Sequence, residues 1–185
     1  GEVSLTFRLA AKATRVLATI PFTSAGPKAD LVLFGEGLKP VSLRIDGTEL
    51  SPHDYQLTDE TLTVPASRLP SGAFLWEAEV EIDPRGNTTL EGLYMSNGMY
   101  CTQCEAEGFR HITFYPDRPD VMTTFRVRIE SDLPVMLSNG NPGAQGNGFA
   151  EWHDPWPKPA YLFALVAGEL VNLPEGAMLM RASEA

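Results

Sequence analysis

The sequence predicts a mostly β fold: a two-sheet sandwich or saddle-like domain, with one or two short helical turns near residues 105–124. Three observations carry that prediction. Apolar and polar residues alternate with period two in one segment after another, the mark of half-buried strands. Turn signals return at roughly the eight-to-twelve-residue spacing of all-β sandwiches. No window of a dozen residues carries a helical stripe. Fifteen prolines and sixteen glycines in 185 residues suit many turns and few long helices.

Taken in order, Val3, Leu5, Phe7 and Leu9 alternate with Ser4, Thr6 and Arg8, which predicts a strand with one face inward. Val16, Ala18 and Ile20 repeat the pattern up to Pro21. Leu31 to Phe34 is a short continuous apolar run closed by Gly35 and Gly37, as in a strand buried on both faces. Val41, Leu43 and Ile45 alternate again before Asp46-Gly47. Tyr55 to Leu57 and Leu62 to Val64 flank T-D-E-T and predict a hairpin. Phe74, Trp76, Ala78, Val80 and Ile82 form the longest clean alternation, stopped by D-P-R-G at 83–86. Later strands are expected at Phe125 to Ile129, at Val135 and Leu137, around Trp152, and from Tyr161 to Val166. Only Glu105–Phe114 and Pro119–Thr124 have room for a helical turn or two. No linker or internal repeat divides the chain, so residues 1–185 are expected to form a single domain. Both ends read as cuts through a longer protein.

Composition narrows the function. A net charge of −10 and a pI near 4.7, with fourteen basic residues scattered singly, argue against a nucleic-acid partner, whose phosphates need clustered Lys and Arg. No apolar run approaches the roughly 18–20 residues that span a bilayer, so no membrane role is expected. Two cysteines three residues apart make no disulfide framework, which points to a reducing, cytoplasmic setting.

Chemistry concentrates between Leu90 and Phe125, where polar residues crowd together without strand period. Cys101 and Cys104 make half of a structural zinc site. The matching second pair is absent, and although His111 and His153 could complete a set, two small structural residues are the better reading. A redox pair would need a βαβ context, and a cysteine nucleophile a histidine beside it in space. If the segment is extended, Gln103 and Glu105 project to one side, and a carboxylate beside an amide can recognise a cationic group. On spacing alone, however, Glu105 and Glu107 read as a solvated acidic edge. Asp117, Arg118 and Asp120, punctuated by Pro116 and Pro119, read as an ion-paired turn that Arg110 could join, bracing the loop that presents Gln103 and Glu105. Tyr94, Tyr100, Phe109, Phe114, Tyr115 and Phe125 read as core. Trp152 and Trp156 read as part of a Pro-rich crossover, or less readily as an aromatic rim. No H-E-x-x-H, G-x-S-x-G or phosphate-binding glycine loop occurs, so the residues hold no complete active site.

Several motifs in this region also carry a resemblance: E-G-L-Y at 91–94, C-T-Q-C-E-A-E-G-F-R-H at 101–111, Y-P-D-R-P-D-V at 115–121, L-S-N-G-N at 137–141 and W-H-D-P-W-P-K-P-A-Y-L-F-A-L-V-A-G-E at 152–169. Together they resemble the bacterial aminopeptidase N family of zinc metallo-aminopeptidases. The resemblance implies the N-terminal β domain of a peptidase whose zinc ligands and catalytic residues lie in an absent domain of the same chain. It implies no catalytic or metal-binding residue here, and hence an inactive fragment. It further implies that Glu105 binds the α-ammonium of a peptide N-terminus and that Gln103 lines the pocket for the first residue. Two rivals remain: a stand-alone β-sandwich that binds a ligand or protein without catalysis, and a self-contained hydrolase using Cys101 or Cys104.

Overall fold

The computed structural model describes residues 1–23, 29–172 and 179–181. Among them the chain forms seventeen strands, three 3-10 turns and no α-helix. In order these are β1 (Glu2–Arg8), β2 (Thr14–Thr23), β3 (Leu31–Phe34), β4 (Lys39–Ile45), β5 (Thr48–Glu49), β6 (Gln56–Leu57), β7 (Thr61–Val64), β8 (Ala73–Ile82), β9 (Gly92–Ser96), β10 (Met99–Gln103), β11 (Thr123–Glu130), β12 (Val135–Ser138), β13 (Asn141–Gly146), β14 (Phe149–Lys158), β15 (Leu165–Gly168), β16 (Leu170–Asn172) and β17 (Leu179–Arg181). The 3-10 turns span Ala66–Arg68, Gly108–His111 and Ala160–Leu162.

The expected mostly-β fold is the fold observed. Its largest layer is an eight-stranded sheet in the order β13-β14-β11-β1-β2-β8-β4-β5, accompanied by a four-stranded sheet β12-β15-β10-β9, a three-stranded sheet β3-β7-β6 and the pair β16-β17. In the large sheet β1 runs parallel to β11, with Val3 opposite Phe125 and Phe7 opposite Ile129. The period-two pattern fixes which face looks inward. Val3, Leu5, Phe7, Val16, Trp76, Val80, Phe125 and Val127 are all buried, and they join Leu33, Leu62, Leu93, Leu165 and Ala167 of the smaller sheets in one core. The four-stranded and three-stranded sheets therefore cover the inner face of the large one. Its outer face carries cross-strand ion pairs: Arg15 to Glu79 and Glu81 (3.1 Å each), Lys39 to Glu81 (2.9 Å), and Arg128 to Glu151 (2.7 Å). Partly exposed pairs of this kind each contribute only about 0.2–1 kcal/mol. They do define that face as the wet one.

Four expectations need correction. β3 is not buried on both faces: it lies at the edge of its sheet, and Val32 is 46% exposed while Leu33 is fully buried. Val41 breaks its alternation because the β4–β8 register shifts between Pro40 and Ser42, a bulge that turns its side chain out. The apolar run from Tyr161 begins as a 3-10 turn, and the strand starts only at Leu165. Finally, the 90–125 region is not free of strand. β9 and β10 form a hairpin across Asn97-Gly98, whose φ angles of 50° and 83° make the two-residue turn that strand twist favours. Of the two expected helical turns, Gly108–His111 forms as a 3-10 turn, whereas Pro119–Thr124 holds a single hydrogen-bonded turn from Val121 N–H to Arg118 C=O.

Phe109, in that 3-10 turn, is fully buried against Tyr115, Phe125 and Phe163 at ring-centroid distances of 4.9, 5.9 and 5.3 Å, each edge-to-face. It ties the 104–117 segment to β11 of the large sheet. Phe109→Ala is expected to lower stability by about 3–5 kcal/mol, the range for a large aromatic whose cavity cannot collapse. A urea-unfolding midpoint indistinguishable from wild type would contradict this packing.

Cys104 and Tyr115 are core side chains that can also lose a proton. Burial pushes the Cys104 thiol up to about 12 from its ordinary 9.0, with the negative charge of Asp117 adding to the effect. The same two causes raise Tyr115 above its ordinary 10.0. The native chain keeps both protons where the unfolded chain has released them. The stability they contribute is therefore intact below pH 9 and falls as pH rises toward 12, by roughly 1.4 kcal/mol per pH unit for the thiol. Urea midpoints measured across that window check it, and Cys104→Ala should show the shallower decline.

Candidate functional site

The site loop follows from how β10 ends. Tyr100 pairs with Ala167 and Cys101 with Val166, so β10 is held against β15. At the next residue the Thr102 hydroxyl accepts from Leu165 N–H (2.8 Å) and donates to the Leu165 carbonyl (3.3 Å). This two-way bond replaces strand pairing and fixes the exit point. Beyond Gln103 the chain turns through Cys104 to Glu107 into the 3-10 turn, with a cis peptide bond between Glu105 and Ala106. The loop closes through a bond from Gly108 N–H to the Cys104 carbonyl at 2.9 Å.

Two glycines make the closure possible. A Cβ on Gly108 would collide with the Gln103 carbonyl oxygen and come within 3.1 Å of the Gly92 nitrogen. Gly92 itself has φ of +69°, and a Cβ there would lie 2.7 Å from the Cβ of His111. The backbone of the loop is thus packed directly onto the start of β9.

The loop divides cleanly into anchors and crest. Cys104, Gly108, Phe109 and Arg110 are buried, whereas Gln103, Glu105, Ala106 and Glu107 are exposed. The strand ends at Gln103, so strand alternation does not extend to Glu105. What joins the two is the loop itself: the Gln103 side-chain amide donates to the Glu105 backbone carbonyl at 3.3 Å.

Arg110 dominates the electrostatics below the crest. Its Nε and its backbone N–H both donate to Asp117 Oδ2 (3.3 and 3.1 Å), its Nη2 donates to the Asp117 carbonyl (3.4 Å), and its Nη1 reaches Glu36 Oε1 (3.5 Å). Nη2 also pairs with Glu107 Oε1 at 3.1 Å, and the guanidinium lies 4.5 Å over the Phe34 ring. Burial works against the charge of Arg110, but Asp117, Glu107 and Glu36 more than offset it and hold its pKa above the ordinary value. For Asp117 the balance tips the other way: burial raises its carboxyl despite the hydrogen bonds from Arg110. The expected ion-paired turn is therefore split. Asp117 points inward to Arg110, while Arg118 and Asp120 pair with each other on the surface.

Glu105 stands apart from this network. Among the described residues no Lys, Arg or His lies within 4.0 Å of its carboxylate, although Glu107, two residues on, is paired. Glu105 is the crest's uncompensated anion.

The remaining candidates separate from one another. Cys101 and Cys104 are free, and burial raises both thiols, which disfavours the thiolate that a cysteine nucleophile needs. His111 contacts Glu91 (3.4 Å) and Glu36 (3.7 Å), whereas His153 sits on β14 of the large sheet, 3.0 Å from Glu2. Among the described residues no group of three or more His, Cys, Asp or Glu side chains is gathered as for a metal ion. Trp152 is half-buried with its indole donating to the Met136 carbonyl (3.0 Å), and Trp156 is exposed. Glu36 escaped sequence reasoning. It reaches Arg110 only because β3 bridges to Tyr115 through Phe34, a pairing across eighty residues that no local motif announces. With Asp59, Asp83, Asn87, Thr89 and His111 it also lines an open cleft of about 440 Å³. Among the described residues no helix is long and apolar enough to cross a membrane.

The chain has curated relatives along nearly its whole length. The chain is 50% identical over 188 residues to the Aminopeptidase N of Caulobacter vibrioides, which covers 97% of this chain and 21% of that protein. It is 48% identical over 177 residues to the Aminopeptidase N of Escherichia coli, covering 91% of this chain and 20% of that one. Among solved structures, Legionella pneumophila aminopeptidase A in complex with aspartic acid matches at a TM-score of 0.82 and 31% identity, over 97% of this chain and 23% of that one. The chain thus spans about a fifth of the length of the curated relatives it matches. The Peptidase M1 N-terminal domain profile matches residues 11–162, and the chain belongs to that family.

Proposed function

We propose that residues 1–185 are the N-terminal β domain of a zinc-dependent aminopeptidase, and that the loop after β10 anchors the amino end of the peptide. The observation that carries this reading is Glu105: an exposed carboxylate with no cation in reach among the described residues, on a loop whose backbone is clamped by Gly92, Gly108 and the buried Cys104 and Phe109. The relatives named Aminopeptidase N support the substrate class.

An enzyme that removes one residue must measure a fixed distance from the chain's amine. A carboxylate held on a rigid support supplies that measure, because the ammonium makes a charge-assisted bond to it. Internal peptide segments carry no ammonium and would leave the carboxylate desolvated and unpaired, which disfavours their binding. Gln103, tethered to the Glu105 carbonyl, borders the anchor and contributes an amide to the first-residue pocket.

Among the described residues the donor set does not favour zinc: Cys104 is buried, and no third His, Cys, Asp or Glu is gathered with the two cysteines. In the proposed enzyme the metal and the groups that act on the peptide bond belong to the part of the protein beyond these residues. The partners of this domain are then the peptide N-terminus and the catalytic part of its own chain. Its free thiols suit a reducing cytoplasm.

In the full-length protein, Glu105→Ala is expected to raise KM and lower kcat/KM by about ten- to a hundred-fold, the worth of a hydrogen bond to a charged group. Thermal stability should stay close to wild type, because the side chain is exposed and unpaired. Wild-type kinetics in that variant would overturn the assignment. Residues 1–185 alone should neither bind zinc nor hydrolyse an aminoacyl arylamide, whereas the full-length chain should do both. Zinc binding or turnover by the 185 residues would count against the reading.

A further inference from the structure

We propose that Arg110 is the positioning residue of the amine-binding loop: it gathers Glu107, Asp117 and Glu36 onto one buried guanidinium, fixing the crest and leaving Glu105 as the one crest carboxylate with no cation within reach among the described residues. This inference rests on the reading of Glu105 given above.

The side chain of Arg110 is 10% exposed and that of Asp117 3%, so the pair is a buried fixture rather than a surface contact. Asp117 takes three of the available bonds, from Nε, Nη2 and the Arg110 backbone N–H. The donors left over point to Glu36 and Glu107. The Arg110 carbonyl in turn accepts from the Glu36 N–H at 3.1 Å, so the segment after β3 is tied to Arg110 by backbone as well as side chain. A planar fork of five donors stacked on Phe34 can hold three acceptors at fixed angles. A lysine cannot.

The consequence falls on the crest. Glu105 and Glu107 are both exposed and only two residues apart. Left free, Glu107 would be a second anion competing for an incoming ammonium at a different distance, and it would repel Glu105. Held 3.1 Å from Arg110, Glu107 is ion-paired, on a guanidinium it shares with Asp117 and Glu36, and its end of the loop is pinned. A one-residue measure needs one anion in one place, and Arg110 provides both conditions.

The test uses the full-length protein, with kinetics on an aminoacyl arylamide and competition by a dipeptide and its N-acetylated counterpart. Arg110→Lys keeps the charge and loses the fork. It should raise KM about tenfold with a smaller change in kcat, and it should narrow the preference for the free amine over the acetylated peptide. Glu107→Gln, at a side chain 70% exposed, should do the same about threefold without loss of stability. In the Glu105→Ala background both effects should vanish, since the group they position is gone. If Arg110→Lys does not fold, Glu107→Gln decides alone. Wild-type KM and amine preference in the folded variants, with Glu105→Ala impaired, would overturn the role of Arg110 and leave that of Glu105. Effects of full size in the Glu105→Ala background would overturn it equally, by showing a generic packing defect. Wild-type kinetics in Glu105→Ala itself would remove both proposals together.

Discussion

The loop after β10 depends on Phe109. One side chain enters the seam between the eight-stranded and four-stranded sheets and meets Tyr115, Phe125 and Phe163 edge-on. Its neighbours in sequence inherit their positions from it. Gly108 is drawn against Gly92 and the end of β10, and Arg110 is carried to the level of Asp117 and Phe34. Because protein interiors are close-packed, such a wedge has one position rather than a range of them. The exposed crest thereby gains the placement of a core residue without being buried itself.

Charge is arranged around that wedge in two different ways. On the outer face of the large sheet, acids and bases alternate across strands and compensate one another in solvent, where each pair is worth little. Around the loop a single arginine serves three carboxylates in a partly dry setting, where removing it would strand Asp117 and cost several kcal/mol. The acidic balance of the chain is thus not uniform. Most of its acids are matched or solvated, and Glu105 is neither paired nor crowded, a state more useful for binding a cation than for stability.

Much of the fold was legible because alternation reports burial directly. β1 follows its apolar residues one for one, and in β2 and β8 the alternating sets Val16, Ala18, Ile20 and Phe74, Trp76, Ala78, Val80, Ile82 are all buried, while Leu17 and Leu75 fall on the opposite phase and are not. The reading failed where a neighbour, not the segment itself, decides exposure. Val32 is exposed because nothing covers the outer face of an edge strand, and Val41 because a bulge rotates it. The β9–β10 hairpin was missed although Asn97-Gly98 announces its turn, since the apolar residues beside it are interrupted by Ser96, Cys101 and Thr102. Gln103 and Glu105 were singled out for a reason that holds only in part: the strand stops between them, and a side-chain bond links them where alternation was expected to. Arg110 and Asp117 stand seven residues apart and could be paired by inspection. Glu36 could not, because only the bridge from Phe34 to Tyr115 brings it there.

The separation of anchor from chemistry in the proposed enzyme has a physical rationale. A residue that binds an ammonium must stay ionised and desolvate readily, while groups that act on a peptide bond sit in a site organised around their own charges. Placing the two on different structural units lets each be tuned without disturbing the other's field. The distance between them is then set by how the units pack. A loop built on β9, β10 and a buried aromatic wedge resists being pushed back when substrate binds, so the binding energy goes into holding the amine rather than into ordering the protein. Rigidity at Phe109 and electrostatic singularity at Glu105 are therefore two parts of one requirement. A mobile crest, or a crest with two free acids, would still attract amines but would no longer tell the first residue from the second.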